Sequence, residues 1–179
     1  HFFHCSETLL RTSPNKATKI LHDKKLGALF FQASTRTRLS FETAMLNLGG
    51  KNLGFCDVKT TRSGDFFKET LEDAVRVVGQ MVDCIVIRHV EPHSIERAKT
   101  FSPVPLINGG DGSNEHPTQA LTDLWTIHRY LGQLDEKRIG LVGDPSTRVM
   151  RSLLIGLSRF KIKEILFLFP SKEGLPAEI

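Results

Sequence analysis

Residues 28–50 read ALFFQASTRTRLSFETAMLNLGG. An apolar run, Ala28 to Phe31, passes through Ser34, Thr35, Arg36, Thr37 and Arg38 into apolar residues at helical spacing, Phe41, Ala44, Met45 and Leu48, which Gly49 and Gly50 close. The order predicts a strand, a tight loop and the start of a helix. A helix N-terminus carries backbone N–H groups without intrahelical partners and a partial positive charge, so it attracts anions. Here three hydroxyls (Ser34, Thr35, Thr37) and two guanidiniums (Arg36, Arg38) join those amides within five residues. Capping by Ser34 or Thr35 would account for one hydroxyl. It does not account for two arginines in a first turn, where positive charge opposes the helix dipole. The stretch is therefore read as a phosphate cradle built without the usual glycines.

Outward from this stretch the pattern alternates. Asn52 to Cys56 reads as a second strand and Lys59 to Asp65 as a polar loop. Leu71, Ala74, Val75, Val78 and Val82 fall at helical spacing, and Cys84 to Ile87 is an unbroken apolar run ending in Arg88 and His89, as in a strand buried on both faces. A short helix over Ser94 to Lys99 leads to a strand at Val104 to Ile107, and Asn108 to Glu115, with three glycines, is expected to be a loop. His116 and Pro117 open the next helix, with proline at its favoured first position and Ala120, Leu121, Leu124, Trp125, His128 and Leu131 as its core face. Four strands alternating with helices predict an α/β fold: a parallel four-stranded sheet with helices on both faces and right-handed crossovers. His1 to Lys25, with Pro14 between apolar pairs, suggests helical pieces covering the sheet edge.

Gly132 to Glu136 interrupts the alternation and a new unit starts: a strand at Ile139 to Val142, a helix over Arg148 to Phe160, and a strand at Ile165 to Phe169. Two strands and one helix cannot bury a sheet on both faces. The expected division is a first domain at 1–136 and, at 137–179, the beginning of a second α/β domain that is mostly missing. The chain opens on His1 rather than Met, so a trimmed or fragmentary N-terminus is also expected.

The 179 residues, 40% hydrophobic and 25% charged, have the composition of an ordinary soluble globular protein. No run reaches the roughly 18 apolar residues of a membrane span, and His1 to Leu10 does not read as a signal peptide. Three scattered cysteines make neither a disulfide framework nor a zinc site, so a reducing, cytoplasmic setting is the default. The net charge of +4 is spread along the chain without a basic block interleaved with aromatics, which fits anionic small substrates at least as well as nucleic acid, and no nucleic-acid partner is expected. The histidines show no metal-ligand spacing, and neither GxxxxGK[ST] nor GxGxxG occurs. No metal and no nucleotide cofactor are expected.

In a parallel α/β sheet ligands bind beyond the carboxyl ends of the strands. Four features fall there: the Ser34–Arg38 cradle, Arg88, the loop leading to His116, and Asp144 to Arg148. Guanidiniums, hydroxyls, an imidazole and the amide of Gln119 are the groups that hold a phosphate and polarise an acyl oxygen. The alternatives are a surface role for Arg88, helix capping by His116 and Gln119, and a core position for His128.

FFQASTRTRLSFE (Phe30 to Glu42), IVIRH (Ile85 to His89) and NGGDGSNEHPTQALTDLWTI (Asn108 to Ile127) closely resemble the aspartate/ornithine carbamoyltransferase family, whose carbamoyl-phosphate signature is STRTR. HPTQAL with GDG upstream resembles the aspartate branch; the ornithine branch typically has cysteine where this chain has Thr118. VGDPSTRVMRSL (Val142 to Leu153) resembles the start of the family's aspartate-binding domain. The resemblance implies transfer of the carbamoyl group from carbamoyl phosphate to the α-amine of L-aspartate, giving N-carbamoyl-L-aspartate and phosphate, a step toward pyrimidines, with no metal or cofactor. It implies that Ser34, Thr35, Arg36 and Thr37 hold the phosphate, that Thr37, Arg88 and His116 face the carbamoyl oxygen, that Gln119 faces the carbamoyl amide, and that Arg148 binds an aspartate carboxylate. Catalysis would then fall to Arg36, Thr37, Arg88 and His116. It further implies a homotrimer in which a serine and a lysine reach a neighbouring site. Ser63 and Lys68 are the candidates here, although the family's lysine-glycine-glutamate is Lys68-Glu69 without the glycine. The alternatives are a carbamoyltransferase for ornithine or another amine, and a fragment that only binds carbamoyl phosphate. A polypeptide ending at Ile179 would be expected to bind the donor and turn over poorly.

Overall fold

A computed structural model describes residues 1–62 and 69–169. The chain divides into two compact units, His1–Gly112 and Ser113–Ile179.

The first unit is built on the expected parallel sheet. Its strands are β1 (Lys25–Phe30), β2 (Lys51–Phe55), β3 (Cys84–His89) and β4 (Leu106–Asp111), in the order β2-β1-β3-β4. Strand β1 pairs with β3 from Leu26↔Cys84 to Phe30↔Arg88. The two central strands carry unbroken buried runs, Leu26 to Phe30 and Ile85 to Ile87, because both faces are covered there. Leu26, Ala28 and Phe30 of β1 and Val86 of β3 face one core, completed by Met45 and Phe41 of α3 (Arg36–Asn47) and by Leu21. Leu29, Ile85 and Ile87 face the other, with Phe31, Leu71, Ala74 and Val75 of α4 (Leu71–Gly79), and Ile95 and Ala98 of α5 (Ser94–Lys99). Helix α4 starts with Thr70, whose side chain accepts from the Asp73 N–H, and carries Glu72 and Asp73 in its first turn, where the helix dipole favours acids. Helix α3 ends at Gly49 (φ 86°), where a Cβ would run into the Thr18 carbonyl.

Two local expectations change. Asn108 to Asp111 belong to β4 rather than to a loop: the ladder runs in register through Ile87↔Asn108, then shifts and closes at His89↔Asp111. Gly109 permits this, because a Cβ there would lie 3.1 Å from the Ile87 carbonyl oxygen. The N-terminal helices α1 (Phe2–Arg11) and α2 (Pro14–Ala17) form, with Pro14 opening the second, but neither has a buried residue, so they do not seal a sheet edge.

In the second unit α6 (Pro117–Leu131) and α7 (Arg148–Leu157) pack closely, since a Cβ on Gly156 would come within 2.7 Å of Leu124 Cδ1. Ala120 and Leu124 form the buried face of α6, whereas Leu121 and Leu131 of the expected core face are exposed. Strands β5 (Arg138–Val142) and β6 (Glu164–Leu168) pair in parallel from Arg138↔Glu164 to Val142↔Leu168, with Ile139 and Leu141 buried.

Candidate functional site

The strand order fixes where a ligand belongs in the first unit. The chain leaves β1 for β2 on one side and later enters β3 on the other, so the order reverses between β1 and β3, and the crevice lies beyond their carboxyl ends. Residues 31–38 follow β1 there. Phe30 is in register with Arg88, and the Phe31 N–H donates to the Arg88 carbonyl at 2.8 Å, which sets the arginine beside the loop.

Helix α3 begins at Arg36. Its N-cap, Thr35, has helical backbone angles and no side-chain capping bond. Capping therefore does not consume the Thr35 hydroxyl. Among the described residues, the side chains of Ser34, Thr35 and Arg36 have no hydrogen-bond or ion-pair partner, and Thr35 and Arg36 are exposed. Arg38 differs: its Nε lies 3.8 Å from Glu42 Oε1, one turn along the helix. Arg88 Nε donates to Gln32 Oε1 at 3.2 Å and Nη1 to Thr37 Oγ1 at 3.5 Å. Arg88, Thr37 and Gln32 are thus brought together at the start of α3, where the dipole adds to the guanidinium charge in favouring an anion.

The second unit holds its own group. His116 is buried and sits at the N-cap of α6 without a side-chain capping bond. Its backbone N–H donates to Ser152 Oγ at 2.9 Å, and its Nδ1 lies 3.5 Å from Thr118 Oγ1. Gln119 does not close a capping box; its Nε2 donates to Asp123 Oδ1 at 3.0 Å. Arg148 is the first residue of α7, one turn before Ser152 on the same face. Asp144 folds the preceding turn by accepting from the Ser146 N–H and hydroxyl, which hold its carboxyl below the ordinary carboxylate range. His128 stacks at a tilt on Trp125, with ring centroids 5.8 Å apart.

Ser63 and Lys68 lie outside the described residues. Gln32, Asp123 and Ser152 are the polar neighbours that the sequence did not single out. For Gln32 the available signal was its place, between a buried strand and the cradle; for Ser152 it was the four-residue step from Arg148. Among the described residues, no group of three His, Cys, Asp or Glu could hold a metal ion. No helix among them is long and apolar enough to cross a membrane.

Residues 2–129 match the model of the aspartate/ornithine carbamoyltransferase carbamoyl-P binding domain. The aspartate carbamoyltransferase catalytic subunit of Clostridium novyi is 44% identical over 165 residues, 92% of this chain and 53% of that protein. The structure of aspartate transcarbamoylase from Trypanosoma cruzi in complex with carbamoyl aspartate and phosphate superposes with a TM-score of 0.90 at 35% identity, covering 99% of this chain and 58% of that one. The catalytic subunit of the Methanocaldococcus jannaschii enzyme gives 0.87 at 42% identity, over 99% and 57%. The chain spans about half the length of the curated relatives it matches. With this match across its cradle, its sheet and the start of α6, the chain belongs to the aspartate/ornithine carbamoyltransferase family.

Proposed function

We propose that this chain provides the carbamoyl-phosphate half of an aspartate carbamoyltransferase. The observation that carries the proposal is the set of exposed or half-buried donors at the start of α3, Ser34, Thr35 and Arg36, which no described protein group engages, beside Arg88 at the switch point of the sheet. The Trypanosoma cruzi relative binds carbamoyl aspartate and phosphate, the two products of the proposed reaction.

In the proposed reaction Ser34, Thr35, Arg36 and Thr37 hold the phosphate, with the α3 amides adding to the charge-assisted bonds. Thr37, Arg88 and His116 donate to the carbamoyl oxygen. Gln119 serves the carbamoyl amide as an acceptor: its Nε2 is engaged by Asp123, which leaves Oε1 as the end for an N–H donor. Arg148 takes an aspartate carboxylate. The aspartate α-amine forms a bond to the carbonyl carbon and the oxygen becomes an oxyanion. As the oxyanion re-forms the carbonyl, the carbon–oxygen bond to phosphate breaks, and the departing phosphate takes the electron pair and accepts the proton shed by the nitrogen. Each donor aimed at the oxyanion would contribute on the order of 3 kcal/mol, and holding both substrates in place supplies much of the rest. The same proposal places the boundary between carbamoyl-phosphate and aspartate domains at 136/137. It makes the working assembly a cytoplasmic homotrimer, with Ser63 and Lys68 reaching into a neighbouring site.

The test is carbamoyl transfer, with carbamoyl phosphate and either L-aspartate or L-ornithine, by this chain and by a polypeptide extended to the length of its relatives. N-carbamoyl-L-aspartate from the extended polypeptide, with no product from ornithine, supports the proposal. Product from ornithine alone would replace it.

A further inference from the structure

We infer that Gln32 is a positioning residue for the donor site: its amide oxygen holds the Arg88 guanidinium in the orientation that meets the carbamoyl group. The inference rests on the function proposed above.

Arginine has a long, rotatable side chain, and ordering it costs up to about 2 kcal/mol of conformational entropy. At the carboxyl end of β3 the backbone fixes where Arg88 starts but not where its planar fork points. Gln32 and Thr37 both contact the fork. Gln32 Oε1 accepts from Nε at 3.2 Å, and Thr37 Oγ1 lies 3.5 Å from Nη1. The second is at the outer limit of a hydrogen bond, so Gln32 provides the firmer hold. Both partners come from the segment that follows β1, and Phe31, directly before Gln32, is tied by its N–H to the Arg88 carbonyl at 2.8 Å. Backbone and side chain of Arg88 are therefore gripped by one short stretch, which also carries the phosphate donors.

The chemistry of the partner matters as well. Gln32 is neutral, so it orients the guanidinium without cancelling its charge, whereas a carboxylate there would form an ion pair and weaken the field felt by a bound anion. Gln32 itself is half-buried and precedes Ser34 by two residues. It is not assigned a contact with substrate. Its effect passes through Arg88.

Arg88 is proposed to meet the carbamoyl oxygen and not the phosphate, which gives the test its discrimination. Affinities of the wild-type chain, Gln32→Ala and Gln32→Glu are measured by calorimetric titration with carbamoyl phosphate and, separately, with inorganic phosphate. Gln32→Ala is expected to weaken carbamoyl phosphate about tenfold, the loss of one orienting hydrogen bond, and to leave inorganic phosphate within about twofold of wild type. Gln32→Glu keeps an acceptor of the same reach but adds an ion pair with Arg88, so its carbamoyl-phosphate affinity is expected to fall between those of Gln32→Ala and wild type. In an Arg88→Ala background, Gln32→Ala should cost nothing further, because the group it positions is gone. Equal losses for both ligands, a loss that persists without Arg88, or no loss at all would overturn the inference while leaving the donor site standing. A wild-type chain that binds inorganic phosphate but does not prefer carbamoyl phosphate would overturn the proposed function and this inference with it.

Discussion

Replacing Arg36 by alanine separates a binding role from a structural one, because the two predict changes of opposite sign. The guanidinium is exposed, has no hydrogen-bond or ion-pair partner among the described residues, and occupies the first position of α3. Positive charge there opposes the helix dipole by about 0.3–1 kcal/mol, and alanine is the better helix former. The variant should therefore be as stable as wild type or slightly more so, with a midpoint raised by about 1–4 °C for a chain of this size. Binding should move the other way. A charge-assisted hydrogen bond to phosphate is worth about 1.5–3 kcal/mol, which is a loss of about 10- to 150-fold in affinity for carbamoyl phosphate. Arg36→Lys keeps the charge without the planar fork and should fall between the two. Arg38→Ala is the internal comparison: its Nε already faces Glu42 at 3.8 Å, so its removal should cost less affinity than that of Arg36. Scanning calorimetry and isothermal titration on the same preparations decide the matter. A variant that binds carbamoyl phosphate as well as wild type, or one destabilised by several kcal/mol, would refute the reasoning.

Phe30 has no exposed surface at the centre of the α3-side core, so Phe30→Ala should lower unfolding free energy by about 3–5 kcal/mol in urea titration. Ser152→Ala removes the acceptor of the buried His116 N–H and should cost about 1–3 kcal/mol in the same assay, with a rise in the Michaelis constants of any activity that depends on His116. Burial pushes His89 below its ordinary 6.5, and its Nδ1 accepts the Glu91 N–H, a bond only the unprotonated nitrogen makes. The folded chain thus favours neutral His89: its stabilisation is complete above the unfolded value and is lost as pH falls from there through the folded value. Thermal midpoints should decline as pH falls below the ordinary histidine value of about 6.5, and His89→Asn should flatten that decline.

Much of this was legible in the residues, for reasons that differ by element. Strands β1 and β3 announce themselves as unbroken apolar runs because helices cover both of their faces, and the closing glycine of α3 marks a backbone angle that other residues avoid. Asn108 to Asp111 escaped as a strand because its polar and glycine residues carry no hydrophobic signal; a register shift and a close backbone approach hold them in β4. The apolar pattern of α1 reported helix correctly but not burial, since an amphipathic face says only that something could cover it. Ser34, Thr35 and Arg36 stand out because a cationic side chain in a first helical turn opposes the helix dipole and so asks for another purpose. Gln32 and Ser152 do not stand out. Each is an ordinary polar residue whose significance lies in the group it meets across the fold, 56 positions away for Arg88 and 36 for His116.

The most direct test of the central claim, that the start of α3 is the seat of the donor's phosphate, is a nitrogen–proton NMR titration of the chain with carbamoyl phosphate. Saturable shifts concentrated at the backbone amides of residues 34–38 and at the Arg36 and Arg88 guanidinium N–H groups are the predicted result. Saturation accompanied by shifts centred elsewhere, with the 34–38 amides unmoved, would contradict it.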